Sequence, residues 1–484
     1  MTPGITVVGL GPGDPGLLTR EAWLLLSEPG KVFLRTLDHP VVPSLPAHIE
    51  LHAFDDLYER HGTFDEVYAA IVDLVVAEAA GPSGVVYAVP GDPTVGEATV
   101  SGLRLKARDA SLRFDIVHGI SFIEPCLRAV GHDALNGLSI ADAIDLARTH
   151  HPPFSPDTPA LVGQLYSRMV AADAKLTLLN QYPADHRIRL IHRVATPTEA
   201  VEDIPLHELD RSRKIGSLTA LYVPALSQPS GFETFQDIVA HLRAPEGCPW
   251  DREQTHQSLR THLMEETYEA LQALDDEDPE ALKEELGDLM LQVVLQTQIA
   301  VEADEFSMAD VLSSIREKLV RRHPHVFGDL KVADVDEVLH NWETLKAAER
   351  EAEGRVKGAL DGVPAGLPAL AQAAEIQGRV ARLGFDWPAI EGVMAKVLEE
   401  VDEILNAPDK ASLAAEIGDL IFSVVNLARW KDIDPEAALR QANGRFRMRF
   451  AHIEASSRES GTPLSEMRLE EMNALWESAK GAND

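Results

Sequence analysis

Cysteine is nearly absent: only Cys126 and Cys248 occur in 484 residues, far apart and in no metal-ligating spacing. No disulfide framework is possible on that pattern, and a reducing compartment is expected. Positive charge is also scarce, with 44 Lys and Arg against 78 Asp and Glu and a net charge of -34. Such a surface repels duplex nucleic acid and anionic membranes, so stable binding to either is not expected. A small anionic substrate stays open if a metal and local arginines reverse the field within a site. No run of about 18 apolar residues occurs, and the opening MTPGITVVGLG lacks a basic region followed by a long apolar segment. A cytoplasmic protein is expected. The length suits about three domains at ~150 residues each.

The abundant acids are arranged in a pattern that occurs twice. LMEETYEALQAL…LKEELGDLMLQVV holds Glu265, Glu266, Glu269, Glu285 and Asp288, and VLEEVDEILNA…LAAEIGDLIFSVV holds Glu399, Glu400, Glu403, Glu416 and Asp419. Each copy reads EExxE, a gap, then ExxD. Residues three and four apart share a helix face, so each motif sends at least two carboxylates the same way. Clustered acids repel one another unless a cation sits among them. Hard divalent cations with oxygen ligands are the natural occupants, Mg²⁺ in particular where substrate phosphates share the ion. A lone EExxE is usually just a solvated face. Here apolar residues interleave at helical spacing (Leu263, Tyr268, Leu271; Leu286, Leu289, Val293), which puts acids and expected core residues on the same helices. Gly287 and Gly418 stand at the matching place in both copies. A glycine inside a helix costs about 1 kcal/mol relative to alanine, so close helix approach is expected there.

From Ile5 the chain reads ITVVGLGPGDPGLLTREAWLLL: a β-branched strand, a glycine-rich turn and a helix opened by Thr19. Similar punctuation returns at GVVYAVPGDPTVGEATV, FDIVHGISFIEPCL and PALVGQLYS, which predicts an α/β domain with a mostly parallel sheet and ligand loops at the strand ends. Gly9, Gly11 and Gly13 are not followed by the acid that closes a second strand in dinucleotide-binding folds, which disfavours a nicotinamide enzyme. Together VGLGPGDPGLLT, RTLDHPVV, VVYAVPGDPTVGE and VHGISF resemble the tetrapyrrole (corrin and porphyrin) methylase family, over residues 1 to 225. The resemblance implies S-adenosylmethionine at Pro90, Gly91, Asp92, Pro93 and Val95, at Ser121 and Phe122, and at Leu165. Gly91 would let backbone approach the ligand, and Asp92 would accept its hydrogen bonds. The same residues could equally make tight turns alone. A single Gly91 precedes Asp92 where the family commonly has a glycine pair, so methyl transfer and plain binding of a tetrapyrrole or other small ligand both stay open.

After LYVPAL the polar stretch SQPSG reads as a linker, and beyond it helical periodicity replaces the strand pattern. A second break, EGRVKGALDGVPAGLPAL, separates two all-α modules. The expected domains are 1–226, 227–352 and 353–484. The repeat runs past the acids: Lys318 and Arg322 match Arg445 and Arg449, and WETLK from Trp342 to Lys346 matches WESAK from Trp476 to Lys480. Internal duplication explains that order better than chance. In such a module carboxylates hold one or two Mg²⁺ ions, the ions grip a polyphosphate, arginine and lysine neutralise its outer oxygens, and an activated water attacks phosphorus. Trp342 and Trp476 offer a face on which a base could stack, although a tryptophan ending a helical module is more often core. Exposed arginines in so acidic a chain often form surface ion pairs only.

CPWDREQTHQSL, the two EExxE…ExxD units, RRHPHVF, LGFDW and the WESAK tail resemble the MazG family of nucleoside triphosphate pyrophosphohydrolases, over residues 230 to 484. The resemblance implies Mg²⁺-dependent hydrolysis of (d)NTPs to NMP and pyrophosphate by all-α modules that dimerise. It implies metal ligation by Glu265 or Glu266, Glu269, Glu285 and Asp288 in one copy, and by Glu399 or Glu400, Glu403, Glu416 and Asp419 in the other. Phosphate contacts would come from Arg379, from Lys318 or Arg445, from Arg322 or Arg449, and from Lys346 or Lys480. Gly378 stands where family members often have a lysine before that arginine, which removes one phosphate contact. The second copy is favoured as the catalytic one, since Arg445, Arg447 and Arg449 accompany Arg379 and LGFDW, whereas Pro324 should end the first copy's basic helix. House-cleaning of excess or damaged nucleotides is the expected role. Two other readings compete: an S-adenosylmethionine-dependent tetrapyrrole methyltransferase whose helical half serves assembly or regulation, and a non-catalytic nucleotide sensor, against which the complete acid sets argue. Short helical modules expose an apolar face, so a homodimer is expected.

Overall fold

The computed structural model describes residues 4–335, 337, 338, 341, 342, 345 and 358–481. The chain divides into two compact units, Met1–His241 and Leu242–Asp484. In the first, strands β1 (Gly4–Gly9), β2 (Lys31–Leu34), β3 (Glu50–Ala53), β4 (Val85–Val89) and β5 (Arg113–Val117) form a parallel sheet in the order β3-β2-β4-β1-β5. Ile5, Val7 and Val8 of β1 and Tyr87, Ala88 and Val89 of β4 are fully buried, as central parallel strands covered on both faces must be. Thr19 opens the helix Arg20–Leu26 as expected, its hydroxyl accepting from the Ala22 amide at 3.2 Å. The carboxyl ends of β1, β4 and β5 converge so tightly that a Cβ on Gly9 or Gly119 would collide with the Gly91 carbonyl.

A second sheet follows, built from β6 (Ser139–Asp142), β7 (Ala160–Gly163), β8 (Arg187–His192), β9 (Ala200–Pro205) and β10 (Thr219–Val223) in the order β6-β7-β10-β8-β9. Only β6 and β7 run parallel; the other pairs are antiparallel. The link from β8 to β9 carries no helix, which permits antiparallel pairing without a crossover.

The second unit is helical. Helices α1 (Arg260–Asp275) and α2 (Pro279–Glu302) form one hairpin; α5 (Ile390–Asn406) and α6 (Lys410–Trp430) form another. Between and after them run α3 (Met308–Arg322), α4 (Ala369–Arg382), α7 (Pro435–Ser460) and α8 (Leu469–Gly481). An aspartate starts each ExxD helix. Asp278 accepts from the Glu280 and Ala281 amides at 3.0 and 3.1 Å, and Asp409 from those of Ala411 and Ser412, both at 2.9 Å. Helix α3 stops at Arg322 and Pro324 begins a separate turn, as that proline predicts, while α7 runs unbroken through Arg445 and Arg449. Arg440 of α7 meets Asp275 of α1 at 2.7 Å and so ties the two copies together.

Two expectations fail here. Leu263, Tyr268, Leu286 and Val293 are not core but between 36% and 52% exposed; the buried residues of α1 and α2 include Ala270, Ala273, Val294, Leu295, Ile299 and Ala300. A Cβ on Gly287 or Gly418 would meet nothing within 4 Å, so neither glycine serves close approach within this chain. The cause is common to both: one apolar side of each hairpin is left uncovered, Ile417, Ile421, Phe422 and Val424 of α6 included. Among the described residues α6 is long and apolar enough to cross a membrane by length and composition, although Glu416 and Asp419 interrupt it.

Candidate functional sites

In the first unit Pro90, Gly91, Asp92, Val95 and Phe122 line one cavity of about 480 Å³. Ser121 and Leu165 lie outside that lining. The Ser121 hydroxyl donates to Glu124 at 2.6 Å and accepts from the Ile123 amide at 3.0 Å, while Leu165 is fully buried in the core beside the second sheet. The Asp92 carboxylate, expected to accept hydrogen bonds from a ligand, has partners within the chain. Its oxygens already accept from the Thr94 amide and hydroxyl at 2.8 and 2.5 Å, from His118 at 2.9 Å and from the Gly119 amide at 3.2 Å. Burial alone would raise its pKa, but the bonds from Thr94 and His118 bring it below the ordinary value, so Asp92 braces two ligand loops against each other. The cavity's other polar groups, Arg35 and His39 of RTLDHPVV among them, have no role legible in the sequence. Arg35 pairs with Glu97 at 2.7 Å and donates to the Tyr58 and Tyr68 hydroxyls at 3.0 and 3.1 Å. His39 is buried, which pushes its pKa down to about 4, and its Nδ1 has no hydrogen-bond partner.

In the second unit the hairpins fold both halves of each acid motif onto one side. Oxygens of Glu266, Glu285 and Asp288 lie within 4.8 Å of one another, and so do those of Glu400, Glu416 and Asp419. The neighbouring acids turn elsewhere: Glu265 lies 3.3 Å from His262, and Glu399 accepts from Lys396 at 2.8 Å. Burial and then Asp288, Glu269 and Glu285 hold the Glu266 carboxyl above its ordinary pKa, and burial with Glu269 and Asp288 does the same to Glu285. Burial with Glu416 and Glu400 raises Glu403. Glu269 and Glu403 thus feel the charge of the two sets, although neither belongs to either three-acid cluster.

The two sets differ in their surroundings. Glu400 is 2% exposed; one oxygen receives Lys396 at 2.7 Å, and the other, Oε2, is buried with no partner. A buried carboxylate oxygen left unsatisfied among other acids is a position that a cation would satisfy. Lys396, held above its ordinary pKa by its hydrogen bonds to Glu399 and Glu400, escaped the sequence reading. Its signal was there, a lysine four residues before Glu400 on one helix face. The first copy has His262 at that position.

A family model described as "MazG nucleotide pyrophosphohydrolase domain" matches residues 254–327. Another, described as "Tetrapyrrole (Corrin/Porphyrin) Methylases", matches residues 4–210. The "Nucleoside triphosphate pyrophosphohydrolase/pyrophosphatase MazG" of Thermotoga maritima is 44% identical over 52% of this chain and 97% of its own length. The chain belongs to the MazG family. The "Nucleoside triphosphate pyrophosphohydrolase" of Escherichia coli (strain K12) is 43% identical over 50% of this chain and 94% of its own. The "Uncharacterized protein YabN" of Bacillus subtilis (strain 168) is 40% identical over 99% of both chains.

The basic residues of the two MazG copies are placed unequally. In the second, the Arg449 guanidinium lies 5.6 Å from the Trp476 ring, and Phe446 is 5.0 Å from the same ring. Arg445 is exposed on α7, and Lys480 pairs with Glu477 at 2.6 Å. Arg379 is committed elsewhere: it bonds Glu375 at 2.7 Å and the Asp361 and Gly362 carbonyls at 2.9 and 3.2 Å, so it fastens the loop before α4 and would have to leave these partners to reach a phosphate. Asp386 of LGFDW accepts from Arg429 and Trp430 at 2.7 and 3.1 Å and fixes the end of α6. In the first MazG copy Lys318 is exposed on α3, Arg322 ends that helix half-buried, and Trp342 is half-buried. Lys346 lies outside the described residues.

Proposed function

We propose that the chain hydrolyses nucleoside triphosphates to the monophosphate and pyrophosphate, and that the second helical copy, within 353–484, is the catalytic one. The observation that carries this reading is the buried, unpartnered Oε2 of Glu400 clustered with Glu416 and Asp419, with Glu403, which feels Glu416 and Glu400, as the fourth acid. A divalent cation held by those four acids, Mg²⁺ by the hardness of an all-carboxylate set, would supply positive charge at the polyphosphate. The chain's own groups do the rest. Lys396 keeps one Glu400 oxygen neutralised and so orients the other toward the cluster. Arg449, Arg445 and Lys480 contribute charge toward the outer phosphates, and Trp476 stacks on the base. Glu399, exposed and paired with Lys396, is a positioning residue rather than a ligand. In the first copy, within 227–352, Glu266, Glu269, Glu285 and Asp288 form a weaker cation site, with Lys318, Arg322, Trp342 and Lys346 as its counterparts. The uncovered apolar sides of both hairpins support a homodimer. Two free cysteines suit a reducing cytoplasm.

For the front unit, residues 1–226, the 480 Å³ cavity supports a secondary reading as an S-adenosylmethionine site, with Pro90, Gly91, Val95 and Phe122 lining it and Asp92 and Ser121 bracing its loops. Incubating the protein with a panel of NTPs and dNTPs plus Mg²⁺, and separating products by anion exchange, tests the main proposal. NMP with pyrophosphate, lost with EDTA, is expected; NDP with phosphate, or no turnover, would overturn it.

A further inference from the structure

Arg440 of α7 donates through Nε to the Asp275 carboxylate of α1 at 2.7 Å, a charged tie from the second helical copy to the first. A fully exposed pair at that distance would contribute little. This one is largely covered, with side chains 21% and 19% exposed, so removing either charge leaves the other poorly solvated. Asp275 is also the last residue of α1. At the negative end of a helix a guanidinium is favoured and a lone carboxylate is not.

The pair joins elements with different tasks. Helix α1 carries Glu266 and Glu269 of the first acid set, while α7 carries Arg445 and Arg449, the guanidiniums assigned to the outer phosphates. Burial does little to fix that part of α7. None of its residues from Pro435 to His452 is buried, Phe446 and Met448 are each 58% exposed, and the buried residues of the helix are Ile453 and Ser457. The contacts of Phe446 and Arg449 with Trp476 join α7 to α8 rather than to an acid-bearing hairpin. Arg449 lies about two and a half turns beyond Arg440, ~14 Å along the helix, so a tilt of ~10° at the pair would carry it on the order of 2 Å, more than a hydrogen bond to phosphate tolerates. The first copy cannot mirror the tie: in the register that pairs Lys318 with Arg445, uncharged Ser313 stands in the place of Arg440.

We propose that Arg440 is a positioning residue for pyrophosphohydrolysis. Held to the end of α1, it sets the reach of Arg445 and Arg449 toward the phosphates, so the second copy's site depends on a helix of the first. The proposal rests on the reading of the second copy as the catalytic one. The test uses the full chain, Arg440→Met, Asp275→Asn, and the reversed pair Arg440→Asp with Asp275→Arg. Binding of pyrophosphate in the presence of Mg²⁺ is followed by titration calorimetry, and NTP hydrolysis by steady-state kinetics. Each single variant should weaken pyrophosphate binding and raise KM for NTP by about fivefold, with kcat changed by no more than about twofold. The Mg²⁺ concentration for half-maximal activity should not move, because the acid set is untouched. The reversed pair should bring pyrophosphate affinity and KM back to within about twofold of the unaltered chain. A merely structural role predicts another pattern, a fall in kcat from loss of folded protein with KM and pyrophosphate affinity unchanged. That pattern would overturn the proposal, as would silent single variants or a reversed pair that rescues nothing. The two layers separate cleanly: no NTP turnover by the unaltered chain, with the difference in pyrophosphate affinity intact, overturns the catalytic reading alone, and turnover with equal pyrophosphate affinities in all four proteins overturns the positioning role alone.

Discussion

The two helical copies carry the same acids in the same order, yet among the described residues they set them in different surroundings, which is why the second is the proposed catalytic copy. In the second copy Glu400 is 2% exposed, Lys396 stands 2.7 Å from it, and α7 continues far enough to lay Arg449 against Trp476. In the first copy Glu266 is half-buried, His262 replaces the lysine, and α3 ends just before Pro324. On the proposed reading, duplicated ligands do not make duplicated sites. Burial and the local supply of cations separate an acid cluster from a place where phosphate charge is stabilised.

That comparison can be broken most directly at Glu400. Glu400→Ala should lower kcat/KM for NTP by about 100-fold or more, the scale of losing a metal's charge stabilisation, while Glu266→Ala should change it by no more than about threefold. Equal losses, read by steady-state pyrophosphate release, would make the copies equivalent. A smaller effect is expected from Arg449→Ala, about tenfold in kcat/KM, with Arg322→Ala nearly silent. A silent Arg449→Ala would remove the basic half of the asymmetry.

The pH dependence sharpens the contrast. Glu266, Glu285 and Glu403 all have carboxyl pKa values raised above 4.5 in the folded chain. Between the unfolded and folded values the folded chain holds the extra proton, so stability is highest below that window and is lost as pH rises through it. Metal-free protein should thus melt lower at neutral pH than near pH 4.5 on account of these groups, and divalent cation should restore the loss. Glu266→Gln with Glu285→Gln should flatten this dependence more than Glu403→Gln does, because two of the three raised acids sit in the first copy. Melting temperatures by calorimetry across pH, with and without chelator, decide it; the opposite ranking would contradict the electrostatic account. The smallest effect concerns the glycines. With open space around each, Gly287→Ala and Gly418→Ala should stabilise a single chain by about 0.5–1 kcal/mol through helix propensity. Destabilisation with loss of dimer at either position would show that a second copy covers that side.

Which carboxylates share a side of one helix was legible from helical spacing, although only the hairpin brings EExxE to ExxD, and Pro324 was legible because proline ends a helix by its own geometry. What lay out of reach depended on partners. Periodicity marks an apolar side that must be covered but not what covers it, which is why Leu263, Leu286 and Val293 turned out exposed. An arginine's type does not reveal its acceptors, and Arg379 spends its donors on two backbone carbonyls and Glu375. Asp92 likewise looked available until Thr94 and His118 filled it. The second sheet escaped because the short link between β8 and β9 breaks the strand-helix alternation on which the parallel expectation rested. Lys396 was visible at four residues from Glu400 and was passed over for the more conspicuous arginines.

The central claim is tested most directly by product analysis of three proteins side by side with one NTP and Mg²⁺: the unaltered chain, Glu416→Ala with Asp419→Ala, and Glu285→Ala with Asp288→Ala. Release of NMP and pyrophosphate by the first and third, with none from the second, is the predicted result. Turnover that survives in the second and vanishes in the third would contradict the assignment of catalysis to the second copy.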